Sequence, residues 1–261
     1  MPTRLLPGLR LVRRDADHVQ LGVDPPYVAV LRDLPEVRRL VDQLAVGQRP
    51  QRPGVEAVRA LDAIEAAGLL VDDDTDERRK RLRRARVRVE APRDVAAGVT
   101  ALLRAAGTVE HRRPGGVDVV LLVVEGEPPR DRLDPLMRDG VPHVLVRDHG
   151  HELVVGPFVV PGATACLRCM DCHHGDADPR RGLVVEQVAT TPPLVPVSPD
   201  PTLRAVALSL AVCDVVSFLE GEVPGTWSST ISVRKELDLL PTRWLRHAGC
   251  GCAWDALAET G

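Results

Sequence analysis

Hydrophobic positions along the chain change their period several times, and each change marks an element. Leu9 and Leu11, then Val19, Leu21 and Val23, follow the period of two that places successive side chains on opposite faces of a strand. Asp15-Ala16-Asp17 lies between these runs as a turn, so the stretch from Leu9 to Leu31 predicts a hairpin of two short strands. Pro35 then suits a first helical position, where its missing N–H costs nothing, and Val37, Leu40, Val41 and Leu44 follow at helical spacing until Gly47. A second helix is predicted from Val55, Val58, Leu61 and Ile64, stopping at Gly68 and passing into Leu69-Leu70-Val71 as a closing strand. Strands, two helices and a closing strand are the plan of a small winged-helix-like module, assigned to residues 1–75.

The sharpest change in composition follows. Asp72-Asp73-Asp74-Thr75-Asp76-Glu77 runs into Arg78-Arg79-Lys80-Arg81-Leu82-Arg83-Arg84, and the acidic half competes for the arginines beside it. This predicts a solvated charged linker at residues 76–84 rather than a nucleic-acid contact. Beyond it, Arg86-Val87-Arg88-Val89 reads as a strand, and Val95, Val99, Leu102 and Leu103 as a helix ending near Gly107. Val117 to Val124 is an almost unbroken valine and leucine run, the mark of a strand buried on both faces. Leu133, Leu136 and Met137 predict a crossover helix closed by Gly140, before a strand from Val141 to Val146. This alternation predicts a parallel α/β sheet in residues 85–261. The apolar run from Ala205 to Cys213, continued to Leu219, is bounded by Arg204, Asp214 and Glu220; it is too short to cross a bilayer and predicts a buried helix with Cys213 in the core.

Composition narrows the classes. With 261 residues and 44% hydrophobic content the chain can bury one large core or two smaller ones. Its net charge of -3 and isoelectric point near 6.2 give no global basic field, so neither nucleic acid nor a membrane is an expected partner. Prolines and charge break the first residues before any apolar run reaches export-signal length, which points to the cytoplasm. There thiols stay reduced, and clustered cysteines indicate metal or redox chemistry before disulfides.

Two close cysteine pairs stand out: Cys166-Leu167-Arg168-Cys169 after the turn at Pro161-Gly162, and Cys250-Gly251-Cys252 after His247-Ala248-Gly249. A two-residue spacer lets one turn present both sulfurs, a glycine spacer lets a tighter pair wrap the ion, and four thiolates satisfy tetrahedral zinc. The ligand set Cys166, Cys169, Cys250 and Cys252 would be structural, because a closed four-thiolate site leaves no position for water or substrate. Cys172, His173, His174 and His247 are nearby alternatives for the fourth ligand, and Cys172 reads as a bystander. A redox pair at Cys166 and Cys169 and chance clustering are the competing readings. Asp171, His173, His174, Asp176 and Asp178 read as a solvated acidic loop rather than a second metal site.

The residues that adenylation chemistry needs are missing. After Val87-Arg88-Val89 comes Glu90-Ala91-Pro92-Arg93-Asp94, with no glycine before Gly98 to let backbone amides cradle phosphates, and Gly115-Gly116 precedes a strand as a plain turn. No Gly-x-x-x-x-Gly-Lys, Gly-x-Ser-x-Gly or His-Glu-x-x-His sequence occurs. Catalytic residues are therefore not assigned and ATP is not expected as a cofactor.

The run from Val155-Gly156-Pro157-Phe158 through Pro161-Gly162-Ala163-Thr164-Ala165-Cys166-Leu167-Arg168-Cys169, with His247-Ala248-Gly249-Cys250-Gly251-Cys252 later, resembles the E1-like (ThiF-like) proteins of thiazole/oxazole-modified peptide biosynthesis. These are leader-peptide-binding partners of cyclodehydratases. The resemblance covers roughly Val117 to Trp254. It implies a degenerate Rossmann-like E1 domain with a Cys₄ zinc site, preceded by a recognition module that takes a precursor (leader) peptide as an added strand. It also implies a YcaO-type partner enzyme and leaves open a homodimer. Active E1 enzymes carry a nucleotide-binding glycine motif, which this chain lacks, so the expectation is a noncatalytic scaffold. The alternative is an ATP-dependent adenylating enzyme of the E1 type.

Overall fold

The computed structural model describes residues 3–48, 50–72, 75–111, 116–196 and 200–253. Arg49, Asp73, Asp74 and Gly115 of the segments above, and residues 254–261, lie outside the described residues. The chain divides into two units, Met1–Arg78 and Arg79–Gly261.

In the first unit, β1 (Thr3–Leu5), β2 (Leu11–Arg13), β3 (His18–Leu21) and β4 (Ala29–Arg32) precede α1 (Pro35–Ala45), α2 (Val55–Ala66) and β5 (Leu70–Asp72). The expected hairpin is there: Asp15 Oδ1 accepts the backbone N–H groups of Asp17 and His18, each at 2.9 Å, and so turns the chain between β2 and β3. The strand count differs from expectation. β4 adds to β3 to give an antiparallel sheet in the order β2-β3-β4, and β5 pairs with β1, a strand the alternation did not signal. Val23 lies beyond β3 and is exposed, because the inward alternation ends at Leu21.

α1 buries Val37, Leu40, Val41 and Leu44 as its spacing requires. α2 is rotated from expectation: it buries Ala57, Ala60 and Ile64 and leaves Val55 and Val58 exposed. Two alanines make a flat face on which α1 and β4 can close, which β-branched valines would hold further off. Residues 76–84, expected as a linker, belong to a helix, α3 (Thr75–Arg84). Its run of long, unbranched side chains favours helix over coil.

The second unit carries β6 (Val87–Glu90), α4 (Arg93–Ala105), β7 (Val119–Glu125), a 3-10 turn (Arg130–Leu133) leading into α5 (Asp134–Arg138), β8 (His143–Asp148) and β9 (Leu153–Val159). Then come α6 (Leu167–Ala177), α7 (Arg181–Thr190), α8 (Pro201–Glu220), β10 (Ser229–Val233) and β11 (Pro241–Arg243). Six strands form one sheet in the order β11-β10-β9-β8-β7-β6. Only β6, β7 and β8 are parallel; β9, β10 and β11 join antiparallel, so the expected parallel sheet is a mixed one. The cause is local. The turn between β8 and β9 closes with His149 N–H on Glu152 O at 3.0 Å, Gly150 takes φ +83°, and so short a connection can only return the chain antiparallel.

The unbroken apolar run of β7 is buried on both faces. Val119, Leu121 and Val123 meet α4 and α8, while Val120 and Leu122 meet Leu133, Leu136, Leu167 and Met170 on the other side. α8 starts at Asp200, whose Oδ1 accepts from the N–H groups of Thr202 and Leu203, and ends at Gly221 with φ +88°. It is long and apolar enough to cross a membrane, but Leu203, Ala207, Ala211 and Val215 are buried in the core under the sheet. Cys213, expected in that core, is exposed on its outer side.

Candidate metal centre

Cys166 occupies the N-cap position of α6 with extended backbone, and Cys169 follows in the helix's first turn. An offset of three residues puts both on one side of a helix. Their partners come from 81 to 86 positions along the chain: Cys250 precedes a 3-10 turn (Gly251–Ala253) that carries Cys252. The spacer Gly251 therefore brings its pair together through a tight right-handed turn.

The four sulfurs meet. Cys166 Sγ lies 3.8 Å from Cys169 Sγ and 3.6 Å from the sulfurs of both Cys250 and Cys252, and Cys169 Sγ lies 3.3 Å from Cys252 Sγ. All four fall within 4.8 Å of one another, and three of the residues are buried. A tetrahedron with zinc–sulfur bonds of about 2.3 Å has edges of about 3.8 Å, so the arrangement fits a four-thiolate ion. In the cluster the thiols share protons. The Cys166 S–H donates to Cys169, which pushes Cys166 up from the ordinary thiol value and holds Cys169 below it. Cys250 is lowered to about 7, first by its hydrogen bond with Cys166. A divalent cation among them would take the place of those protons.

The two ligand-bearing segments are tied together beyond the sulfurs. The backbone N–H of His247 donates to Cys169 Sγ at 3.4 Å, and the Cys250 N–H donates to His247 O at 2.9 Å. His173 Nε2, on α6, lies 2.9 Å from Leu245 O. Such outer contacts hold ligands in place around an ion. Trp244 packs between the cluster and the core under α6, with its indole N–H on Thr230 Oγ1 at 3.0 Å.

The alternative ligands fall elsewhere. Cys172 is half-buried beside the cluster and outside the set of four, and its thiol is pushed up by burial. Asp171, His173, His174 and Asp176 lie on α6 and Asp178 caps it, so the expected acidic loop is a helix. His173, Asp176 and His247 do come within reach of one another. Yet His247 Nδ1 accepts the Gly249 N–H at 3.0 Å, which puts the ring proton on Nε2, facing Asp176 Oδ2 at 3.1 Å. Neither nitrogen then has a free lone pair for an ion. Asp171 instead accepts from Arg130, whose ion pairs with Glu127 and Asp171 are largely buried, and Arg147 shares Glu127 at 2.6 Å. No spacing or motif announced Arg130, Glu127 and Arg147; only the fold joins them.

No family model matches the sequence, and no curated protein matches it. Solved structures do. The heterocyclase TruD superposes with a TM-score of 0.66 at 15% identity, covering 100% of this chain and 44% of its own. A heterocyclase in complex with substrate and cofactor gives 0.65 at 15% identity, covering 97% and 39%. MccB of E. coli with MccA gives 0.64 at 12% identity, covering 97% and 100%. The chain thus spans about two fifths of the length of the heterocyclases and nearly all that of MccB. What this likeness establishes is the fold: a mixed α/β chain built like TruD and MccB.

Proposed function

We propose that this chain is a noncatalytic, zinc-stapled scaffold in the maturation of a ribosomally made peptide. Its first unit holds the leader segment of the precursor as an added strand, and its E1-like body presents the substrate to a partner enzyme of the YcaO type. The observation that carries this reading is the edge of β4. The sheet β2-β3-β4 ends there, α2 packs beside it, and α2 exposes Val55 and Val58. An incoming strand would take main-chain hydrogen bonds from β4 and set alternate side chains against those valines. MccB solved with MccA and the heterocyclase solved with substrate lend support from fold relatives.

The noncatalytic half rests on the end of the parallel strands, where open α/β sheets place their ligands. Here a cavity of about 630 Å³ is walled by Glu90, Glu125, Glu127 and Arg132 with Pro92, Pro128 and Pro129. Prolines offer no N–H to bind a triphosphate, Arg132 already faces Glu90 at 3.5 Å, and the Glu125 carboxylate would repel one. Zinc suits the cysteine cluster because a closed tetrahedral thiolate set is its ordinary structural environment. The adenylating alternative has one observation in its favour: MccB with AMPCPP and MccA superposes with a TM-score of 0.62 over 97% of this chain.

Titration of the full chain with labelled precursor peptides from neighbouring genes tests the reading. Val58→Asp is expected to weaken binding roughly tenfold or more, whereas Val12→Asp on the β2 edge leaves it unchanged. Peptide binding that ignores Val58, or that is absent altogether, would remove the recognition role.

A further inference from the structure

His143 opens β8 on the sheet face that also carries Leu122 and Leu145, and it is 1% exposed. It lines a cavity of about 620 Å³ bounded by α5, the start of α6 and the turn bearing Cys250 and Cys252. His143 Nδ1 lies 2.9 Å from Val141 O. A carbonyl only accepts, so the ring proton sits on Nδ1 and Nε2 keeps its lone pair. Burial pushes the ring's pKa below the usual histidine value, which keeps the imidazole neutral near pH 7. Nε2 has no hydrogen-bond partner among the described residues. It is left able to accept a hydrogen bond from a guest in the cavity.

Two of the three arginines around the cavity are already matched. Arg168 Nη2 donates to Asp134 at 2.9 Å, and Arg130 holds Asp171. Arg138 stands exposed at the rim. Leu133, Met137, Pro161 and Leu167 supply apolar wall. Thiolates around a zinc ion would carry a net negative charge on one side, which disfavours an anionic guest. What the walls call for is an uncharged apolar body with one donor.

We propose that this cavity binds a small apolar group bearing a single N–H or O–H, an indole or a phenol, whose donor bonds His143 Nε2. Such a group arrives as a free small molecule or as the side chain of a peptide, and the cavity's chemistry is the same for both. Binding here is separate from strand addition at β4, so failure of either leaves the other standing.

Calorimetric titration of the zinc-loaded full chain with indole and 1-methylindole tests it. The two probes share their shape but differ in the N–H, and indole is expected to bind roughly tenfold more tightly. In His143→Phe that preference should fall to about one, with 1-methylindole still bound. Should the variant fail to fold, ¹⁵N resonances of wild-type His143 serve instead: Nε2 should shift on saturation with indole and not with 1-methylindole. N-acetyltryptophanamide identifies the source within the proposal, since tighter binding than indole marks a peptide side chain and weaker binding a free molecule. Equal binding of indole and its methyl derivative, no binding of either at millimolar concentration, or an unmoved Nε2 resonance overturns the assignment.

Discussion

Arg130 grips Asp171 through two parallel hydrogen bonds, Nε to Oδ2 at 2.5 Å and Nη2 to Oδ1 at 3.0 Å. The pair joins the 3-10 turn after β7 to α6, the helix that presents Cys166 and Cys169. Both side chains are largely buried, at 8% and 16% exposed. Arg130→Ala strands a carboxylate in a low-dielectric setting and is expected to cost about 3 kcal/mol. Arg130→Lys recovers only part, because an ammonium cannot form the two-pronged bond. Urea unfolding measures the loss, and in both variants a chelator should strip the metal faster, since α6 is less firmly held. Unchanged stability and release would remove Arg130 as the anchor of the ligand helix.

Metal content follows from the sulfur geometry. Protein purified without added metal should contain about one zinc per chain. The double variant Cys166→Ser, Cys250→Ser should lose it, along with solubility, because the binding energy of a structural site is folding energy, about 10–16 kcal/mol in small zinc domains. Elemental analysis with circular dichroism reads both quantities. A fully folded wild-type chain without metal would contradict a structural role.

Nucleotide chemistry is expected to be absent. The acidic, proline-walled end of β6 and β7 should give no saturable ATP binding by calorimetry and no pyrophosphate release with any peptide. Tight binding would move the reading to the adenylating alternative.

Stability should depend on pH through His143. Burial lowers its folded-state pKa below the ordinary 6.5, so the unfolded chain binds the extra proton first as pH falls. The histidine's contribution is therefore fully present above pH 6.5 and is lost as acid is added below it. Denaturant midpoints measured across that range should fall less steeply in His143→Phe than in wild type.

Gly156 is placed where no other residue fits. It takes φ +93° in β9, and a Cβ there would stand 2.4 Å from Ser229 O on the neighbouring β10. Gly156→Ala combines left-handed strain with a backbone clash and should cost about 3 kcal/mol or more. A shift of the urea midpoint reads this directly; a neutral substitution would mean that β9 and β10 part easily.

Local signals in the sequence determined a good deal. Pro35, Gly47 and Gly68 bracket helices because φ limits and missing donors act within a single turn, whatever lies around them. The valine and leucine run of β7 declared burial on two faces, since no polar residue interrupts it. The cysteine spacings singled out Cys166, Cys169, Cys250 and Cys252, and the fold brings those four sulfurs together. Other features needed the tertiary structure. β1 was silent because a three-residue strand has no periodicity to read until β5 pairs with it. α2 turned Val55 and Val58 outward because alanines pack closer to α1 and β4, a choice between faces that spacing leaves open. The mixed sheet, the Arg130–Asp171 clamp and the cavity that His143 lines all join residues distant in sequence. Contacts of that kind leave no local pattern, because side chains far apart along the chain meet only when the backbone has closed around them.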